Sequence, residues 1–243
     1  NLLLIRDLYY ICGMNKNILS FLLLPQLISS AYAQTILNFN TTCDVCNGSK
    51  YSEFDERIKM FSNLIKIYSP DLIALQEVRT KSQIEEILKD HDQYDFVLKD
   101  TWLTSYADPT LIYNKNKYKL IDKRFYWLGP NNDGSFSLGW KIALPRLLVS
   151  ALLQDLKTEK MFYFLSSHFD NRRENLSGAA LFTNSIISQL NYPVIFAADT
   201  NITTDMKQYK SLVGDQLINA FAIKKEFSVV GNDQSAKEVG YHR

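Results

Sequence analysis

The sequence has almost no net charge: 27 Lys and Arg stand against 26 Asp and Glu, a formal +1. No strong basic field therefore advertises a nucleic-acid partner, although a local groove on a neutral protein can still be positive. No internal repeat, low-complexity tract or interdomain linker interrupts residues 34–243, so the chain is neither fibrous nor disordered. No apolar run reaches the ~20 residues that a membrane-spanning helix requires. Cysteine is scarce, three residues in all. Methionine does not open the chain either: residue 1 is Asn and the first Met is Met14.

What is present is a globular composition. The chain is 46% hydrophobic and 22% charged, and 243 residues bury a substantial core in one large domain or two small ones. Fourteen Tyr and fourteen Phe favour packed sheets over a helical bundle. From Met14 the sequence runs through Lys16, an apolar stretch over residues 18–28 interrupted by Pro25, and Ala31-Tyr32-Ala33. That is the layout of a secretory signal peptide. Residues 14–33 are expected to be removed after Ala33, leaving Gln34 first, and residues 1–13 then read as translated sequence upstream of the start. A secreted or periplasmic monomer without a transmembrane anchor is expected.

Cys12 falls outside the mature chain, which leaves Cys43-Asp44-Val45-Cys46. A redox Cys-x-x-Cys sits at a helix start after a strand, and a zinc site needs further Cys or His at close spacing. The plain reading in an exported protein is a small structural disulfide closing a loop.

The hydrophobic pattern alternates strands with helices. Residues 36–40 read as a strand, and Phe54, Ile58, Phe61, Ile65 and Tyr68 mark an amphipathic helix that ends at Ser69-Pro70. Short strands are expected at 72–75, 96–98, 110–113, 118–126 and 194–198, and helices at 82–89, 175–190 and 203–212. Residues 146–156 and 160–167 read as a hairpin. Strand–helix–strand units mixed with hairpins suit a two-sheet α/β sandwich better than a purely parallel sheet.

Four of these strands end in polar side chains: Asn40, Gln76-Glu77, His168-Phe169-Asp170, and Asp199-Thr200-Asn201. In open α/β structures ligands bind at the carboxyl ends of strands. Each motif also has a bland reading. Glu77 could be a solvated loop acid, His168 a core imidazole, Asp199 and Asn201 caps of the helix at 203–212, and Asp170 the N-terminal signal of the helix after it. Asp108, beside Pro109, reads as a turn residue, and His91 and His242 as surface residues.

Taken in order, Phe39-Asn40, Leu75-Gln76-Glu77, His168-x-Asp170 and Asp199-x-Asn201 resemble the signatures of the endonuclease/exonuclease/phosphatase family, over residues 36–201. Arg146 resembles an Arg that often precedes the His strand. The resemblance implies a DNase I-like four-layer α/β sandwich, two β-sheets flanked by helices, with an incomplete domain over residues 34–243. The family's terminal Asp-His pair has no match after Asn201, so the last strands are expected to be missing and activity weak. The resemblance also implies an Mg²⁺- or Mn²⁺-dependent phosphoester hydrolase acting on nucleic acid, a phospholipid head group or an inositol phosphate. Glu77 would be the principal metal ligand, with Asn40 a ligand or orienter. Asp199 would activate water, Asn201 would hold water or phosphate, and His168, positioned by Asp170, would bind a phosphate oxygen. Three readings from other classes compete: a non-catalytic binding domain, a glycosidase using Glu77 and Asp199, and a thiol oxidoreductase using Cys43 and Cys46.

Overall fold

The computed structural model describes residues 2–5, 34–46, 53–100, 105–131 and 133–220. The signal segment at 14–33, His242 and the tail from 221 onward lie outside the described residues. Two sheets stack face to face. The first has the order β1 (Leu2–Ile5), β2 (Ile36–Asn40), β3 (Leu72–Gln76), β5 (Ser105–Asn114), β4 (Tyr94–Asp100). The second has the order β6 (Tyr118–Trp127), β7 (Leu147–Asp155), β8 (Met161–Ser167), β9 (Val194–Phe196). Helices α1 (Phe54–Tyr68) and α2 (Lys81–Leu88) cover the first sheet, and α3 (Arg173–Ser188) and α4 (Lys207–Val213) the second. The expected four-layer α/β sandwich is therefore observed.

Strand periodicity builds these layers. In β2, Leu37 faces the helices while Ile36 faces the other sheet, and in β3 Ile73 and Leu72 divide the same way. The middle core joins Ile36, Leu72, Ala74 and Leu111 of the first sheet to Val149, Ala151, Phe162 and Phe164 of the second. Strands buried on both faces need near-continuous apolar runs, which is why Leu72-Ile73-Ala74-Leu75 and Leu147-Leu148-Val149 lack polar alternation. α1 ends where Ser69 turns to φ 43° and gives its amide to Ile65 O, just ahead of Pro70. The β7–β8 hairpin closes on Asp155, whose carboxylate accepts from the amides of Lys157 and Thr158.

Residues 2–5 pair antiparallel with β2, as an apolar segment can along an otherwise open sheet edge. One histidine differs from its expectation. His91, expected at the surface, is buried at the end of α2, with Nε2 2.9 Å from Ser62 Oγ.

Two crossovers set the position of the polar strand ends. β2 and β3 are parallel neighbours joined through α1, and β8 and β9 are parallel neighbours joined through α3. Each sheet thus carries one βαβ unit. The carboxyl ends of all four strands open on one rim of the sandwich, since Asn40 at the end of β2 reaches both Glu77 after β3 and Asp199 after β9, and Asp199 pairs with His168 after β8.

Candidate active site

The rim collects side chains from both sheets. Asn40, the last residue of β2, donates from Nδ2 to Glu77 Oε1 and to Asp199 Oδ2, each at 2.9 Å. One amide therefore bridges two carboxylates from opposite sheets. Its own Oδ1 accepts the amide of Thr42 at 2.9 Å, which fixes the amide's orientation with the NH₂ toward the acids. Asn40 thus ties Glu77 to Asp199 through one side chain.

Glu77 follows β3 in a left-handed conformation, φ 64°. That region disfavours residues with a Cβ by roughly 1–2 kcal/mol, so neighbouring contacts must hold it. They do: the Glu77 amide donates to Asp108 Oδ1 at 3.0 Å, and Oε2 accepts the Cys43 amide at 2.8 Å. Thr42 and Asn201 are left-handed too, with φ 55° and 52°. Backbone strain gathers on the loops that carry the site.

Asp199 is fixed from its other side, with Oδ1 accepting the Asn201 amide at 3.2 Å. Asn201 Nδ2 donates to Phe169 O at 2.9 Å, tying the β9 loop to the β8 loop. The helix expected to be capped by Asp199 or Asn201 begins only at Lys207, with Met206 at its N-cap, so neither residue serves as that cap.

His168 is only 4% exposed and pairs through its backbone with Asp199. Its Nδ1 lies 3.0 Å from Asp108 Oδ2 and 2.8 Å from Arg146 Nη1, and Arg146 Nη1 lies 3.0 Å from the same Asp108 oxygen. A guanidinium only donates and a carboxylate only accepts. Asp108 Oδ2 therefore accepts from Arg146 and braces the His168 ring at Nδ1, while Nε2 lies 3.9 Å from Glu77 Oε1. Asp108, expected in a turn, is a buried member of β5 and the hub of this group. Asp170, expected to position His168, instead accepts from Asn175 Nδ2 at 2.5 Å at the start of α3. Asp108 holds the ring.

A floor of buried amides supports the rim. Gln76 Nε2 donates to Asn38 Oδ1 at 3.0 Å and to Ser166 Oγ at 3.1 Å, and Asn38 Nδ2 donates to Ala198 O at 3.2 Å. The first bond joins neighbours in one sheet, the other two cross to the second sheet, and together they hold β2, β3, β8 and the β9 loop in register. Their signals in the sequence are slight: an amide at Asn38 inside an apolar strand for the floor, and an Asp-Pro step within β5 for Asp108.

The expected site residues Asn40, Glu77, His168, Asp199 and Asn201 therefore come together, Arg146 and Asp108 join them, and Asp170 stands beside them on α3. The donors aimed into the rim are carboxylate oxygens, with the Glu77 side chain 24% exposed. Hard oxygen donors with access to solvent fit a cation of the Mg²⁺ or Mn²⁺ type. Cys43 and Cys46 are joined in a disulfide, so the sulfurs beside Glu77 are not thiolate ligands in this state.

Strand order and rim define the class: a sandwich with the endonuclease/exonuclease/phosphatase fold. An endonuclease/exonuclease/phosphatase family protein from Bacteroides thetaiotaomicron is 21% identical, with a TM-score of 0.65 over 75% of this chain and 68% of that one. Its counterpart from Bacteroides vulgatus is 25% identical, with a TM-score of 0.64 over 73% of this chain and 69% of that one. A mannosyl-6-phosphatase of Bacteroides thetaiotaomicron is 20% identical, with a TM-score of 0.63 over 75% of this chain and 70% of that one. No family model and no curated protein matches the sequence.

Proposed function

We propose that the chain is a divalent-cation-dependent phosphoester hydrolase. The observation that carries this reading is the amide of Asn40 clamping Glu77 and Asp199 together across the two sheets, with the His168 ring alongside. Such a rim suits phosphoryl chemistry, which asks mainly for charge neutralisation and an oriented water. Glu77 would hold an Mg²⁺ or Mn²⁺ ion, with Asp199 near enough to share it through water. When bound, that cation offsets charge on the phosphoryl oxygens.

The remaining roles belong to the chain. Asp199, fixed by Asn40 and by the Asn201 amide, accepts a proton from the attacking water. Asn201 braces the loop that carries it. His168, locked by Asp108 and Arg146, presents Nε2 to a non-bridging phosphate oxygen. The fold fits substrates bearing a phosphoester, and the mannosyl-6-phosphatase and the human nocturnin catalytic domain with bound sulfate share it. Export by a signal peptide and a monomeric state complete the proposal.

The test is turnover of bis-p-nitrophenyl phosphate by the purified chain with Mg²⁺, before and after a chelator, followed by a panel of plasmid DNA, RNA, sphingomyelin, inositol phosphates and sugar phosphates. Chelator-sensitive turnover is expected, and Glu77→Gln lowers it by at least about 10²-fold. Turnover that survives the chelator, or is unchanged in Glu77→Gln, overturns the reading. A folded protein inert on the whole panel leaves a non-catalytic binding domain in its place.

A further inference from the structure

The sulfurs of Cys43 and Cys46 and a carboxylate oxygen of Glu77 all lie within 4.8 Å of one another. Sequence spacing alone gives the cysteine pair no third ligand; the fold supplies one from the end of β3. From this juxtaposition we propose that reduction of the Cys43–Cys46 disulfide creates a site for a thiophilic divalent cation, Zn²⁺ for example. Its ligands are the two thiolates and Glu77. The disulfide, in this reading, keeps Glu77 free for hard-cation chemistry.

The local build suits such a site. Cys46 N donates to Cys43 O at 3.1 Å, a turn that keeps both side chains on one side, with Cα atoms 5.0 Å apart. Tetrahedral Zn–S bonds of about 2.3 Å separate two sulfurs by about 3.8 Å, a distance that two-residue spacing accommodates by side-chain rotation. Bringing the Glu77 oxygen into the same sphere, from separations within 4.8 Å, needs a shift of at most about 1 Å.

The loop is held in place without the disulfide. Asp44 accepts from Arg79 Nη1 at 2.8 Å and from Gln83 Nε2 at 3.0 Å, fixing the loop to the start of α2. Arg57 of α1 donates to Thr42 O and Cys43 O from the other side. The Cys43 amide already touches Glu77 at 2.8 Å. Thiols produced here are therefore presented to Glu77 and not released into a mobile segment.

The chemistry balances with a dithiol as reductant. Cys46 is exposed and Cys43 buried. A reductant thiolate attacks Cys46 Sγ, and Cys43 leaves as its thiolate. The second thiolate of the reductant then closes its own disulfide and releases Cys46. Two electrons and two protons pass to the protein, and binding of the cation expels the two thiol protons. Thiolates outcompete carboxylates for Zn²⁺ while Mg²⁺ prefers oxygen, so the two redox states select different ions.

Cobalt titration of the full chain tests this directly, using a phosphine reductant that does not compete as a dithiol would. The reduced chain is expected to bind one Co²⁺ with thiolate-to-metal charge-transfer absorption, and the oxidised chain to lack that band. Glu77→Gln, with both thiols intact, should weaken Co²⁺ by about tenfold or more. The double variant Cys43→Ser, Cys46→Ser, checked for folding by circular dichroism, should show no charge-transfer band. Absence of the band from the reduced chain, or an affinity unmoved by Glu77→Gln, overturns the proposal. Blocked hydrolysis by Zn²⁺ in the reduced state is expected only if the hydrolase reading holds. A band in a chain without phosphoesterase activity sustains the cation site and sinks the hydrolase.

Discussion

Asp108 shows how much of a site depends on one buried carboxylate. It accepts from the backbone of Glu77 and from Arg146 and braces the His168 ring, partners 31, 38 and 60 positions away in sequence. No local pattern reports such partners, and the adjoining proline argues for a turn. Glu77, Asp199 and His168 are legible because each follows an apolar strand in a motif of its own, and Asn40 because it ends the first strand. The orienting contacts are not legible: they exist only once two sheets are stacked. Asp108→Asn should therefore act mainly through its neighbours. It exchanges a shared acceptor for a side chain that can no longer offset Arg146 in a buried setting, at a cost of about 3 kcal/mol in urea unfolding. Turnover should fall about 10²-fold as His168 loses its orientation. Because both residues serve one function, Asp108→Asn in a His168→Ala background should add little further loss, as measured by a double-mutant cycle on kcat/KM. Multiplicative losses would separate the two residues.

At the scale of elements, the sequence is legible in type and close in boundary. The helix repeat from Phe54 to Tyr68 and the hairpin pair are reproduced, since their apolar periods match the faces they bury. β5 runs longer than the apolar run suggests, from Ser105, because its early residues pair with β4 across a bulge that periodicity does not encode. α4 starts four residues later than expected, at Lys207 and not 203, because Thr203 to Met206 form a turn in which Met206 N bonds to Thr203 O. The end of α1 is the place to separate stability from chemistry. Ser69 adopts φ 43° as the cap, a conformation that glycine takes without a Cβ penalty. Its hydroxyl reaches only Lys66 O at 3.5 Å, so little is lost with the side chain. Ser69→Gly should stabilise the fold by about 1 kcal/mol, a rise of roughly 2–4 °C in Tm, with activity unchanged. A lower Tm would mean the hydroxyl contributes more than the strain costs.

Across the whole molecule, the strands that carry the site at one end are tied by a polar and aromatic clamp at the other. Asp71, just ahead of β3, accepts the Thr35 amide at 2.9 Å and pairs with Lys117 at the start of β6. Tyr94 and Tyr118 surround it, with Tyr94 OH donating to Pro70 O at 2.6 Å and Tyr118 OH accepting from Gln34 at 3.1 Å. Burial first, and then the Asp71 charge, pushes the Tyr94 phenol up to about 12 and Tyr118 further still. Tyr113 on β5 is raised to about 12 by burial and by Asp95. An unfolded tyrosine ionises near 10. A phenol whose folded pKa lies above its unfolded value favours the fold below pH ~10, and that contribution drains away as pH rises through about 12. In an alkaline titration, exposed tyrosines should therefore ionise first with the far-ultraviolet circular dichroism intact. A second rise in phenolate absorbance should then coincide with loss of the dichroism, because these phenols ionise only as the sheets separate from their covering layers. The rim at the far end contains no tyrosine among the described contacts, so the proposed phosphoesterase activity should return in full after excursions that stop below this second step. If every tyrosine titrates in one step while the dichroism persists, the clamp does not hold the sandwich closed.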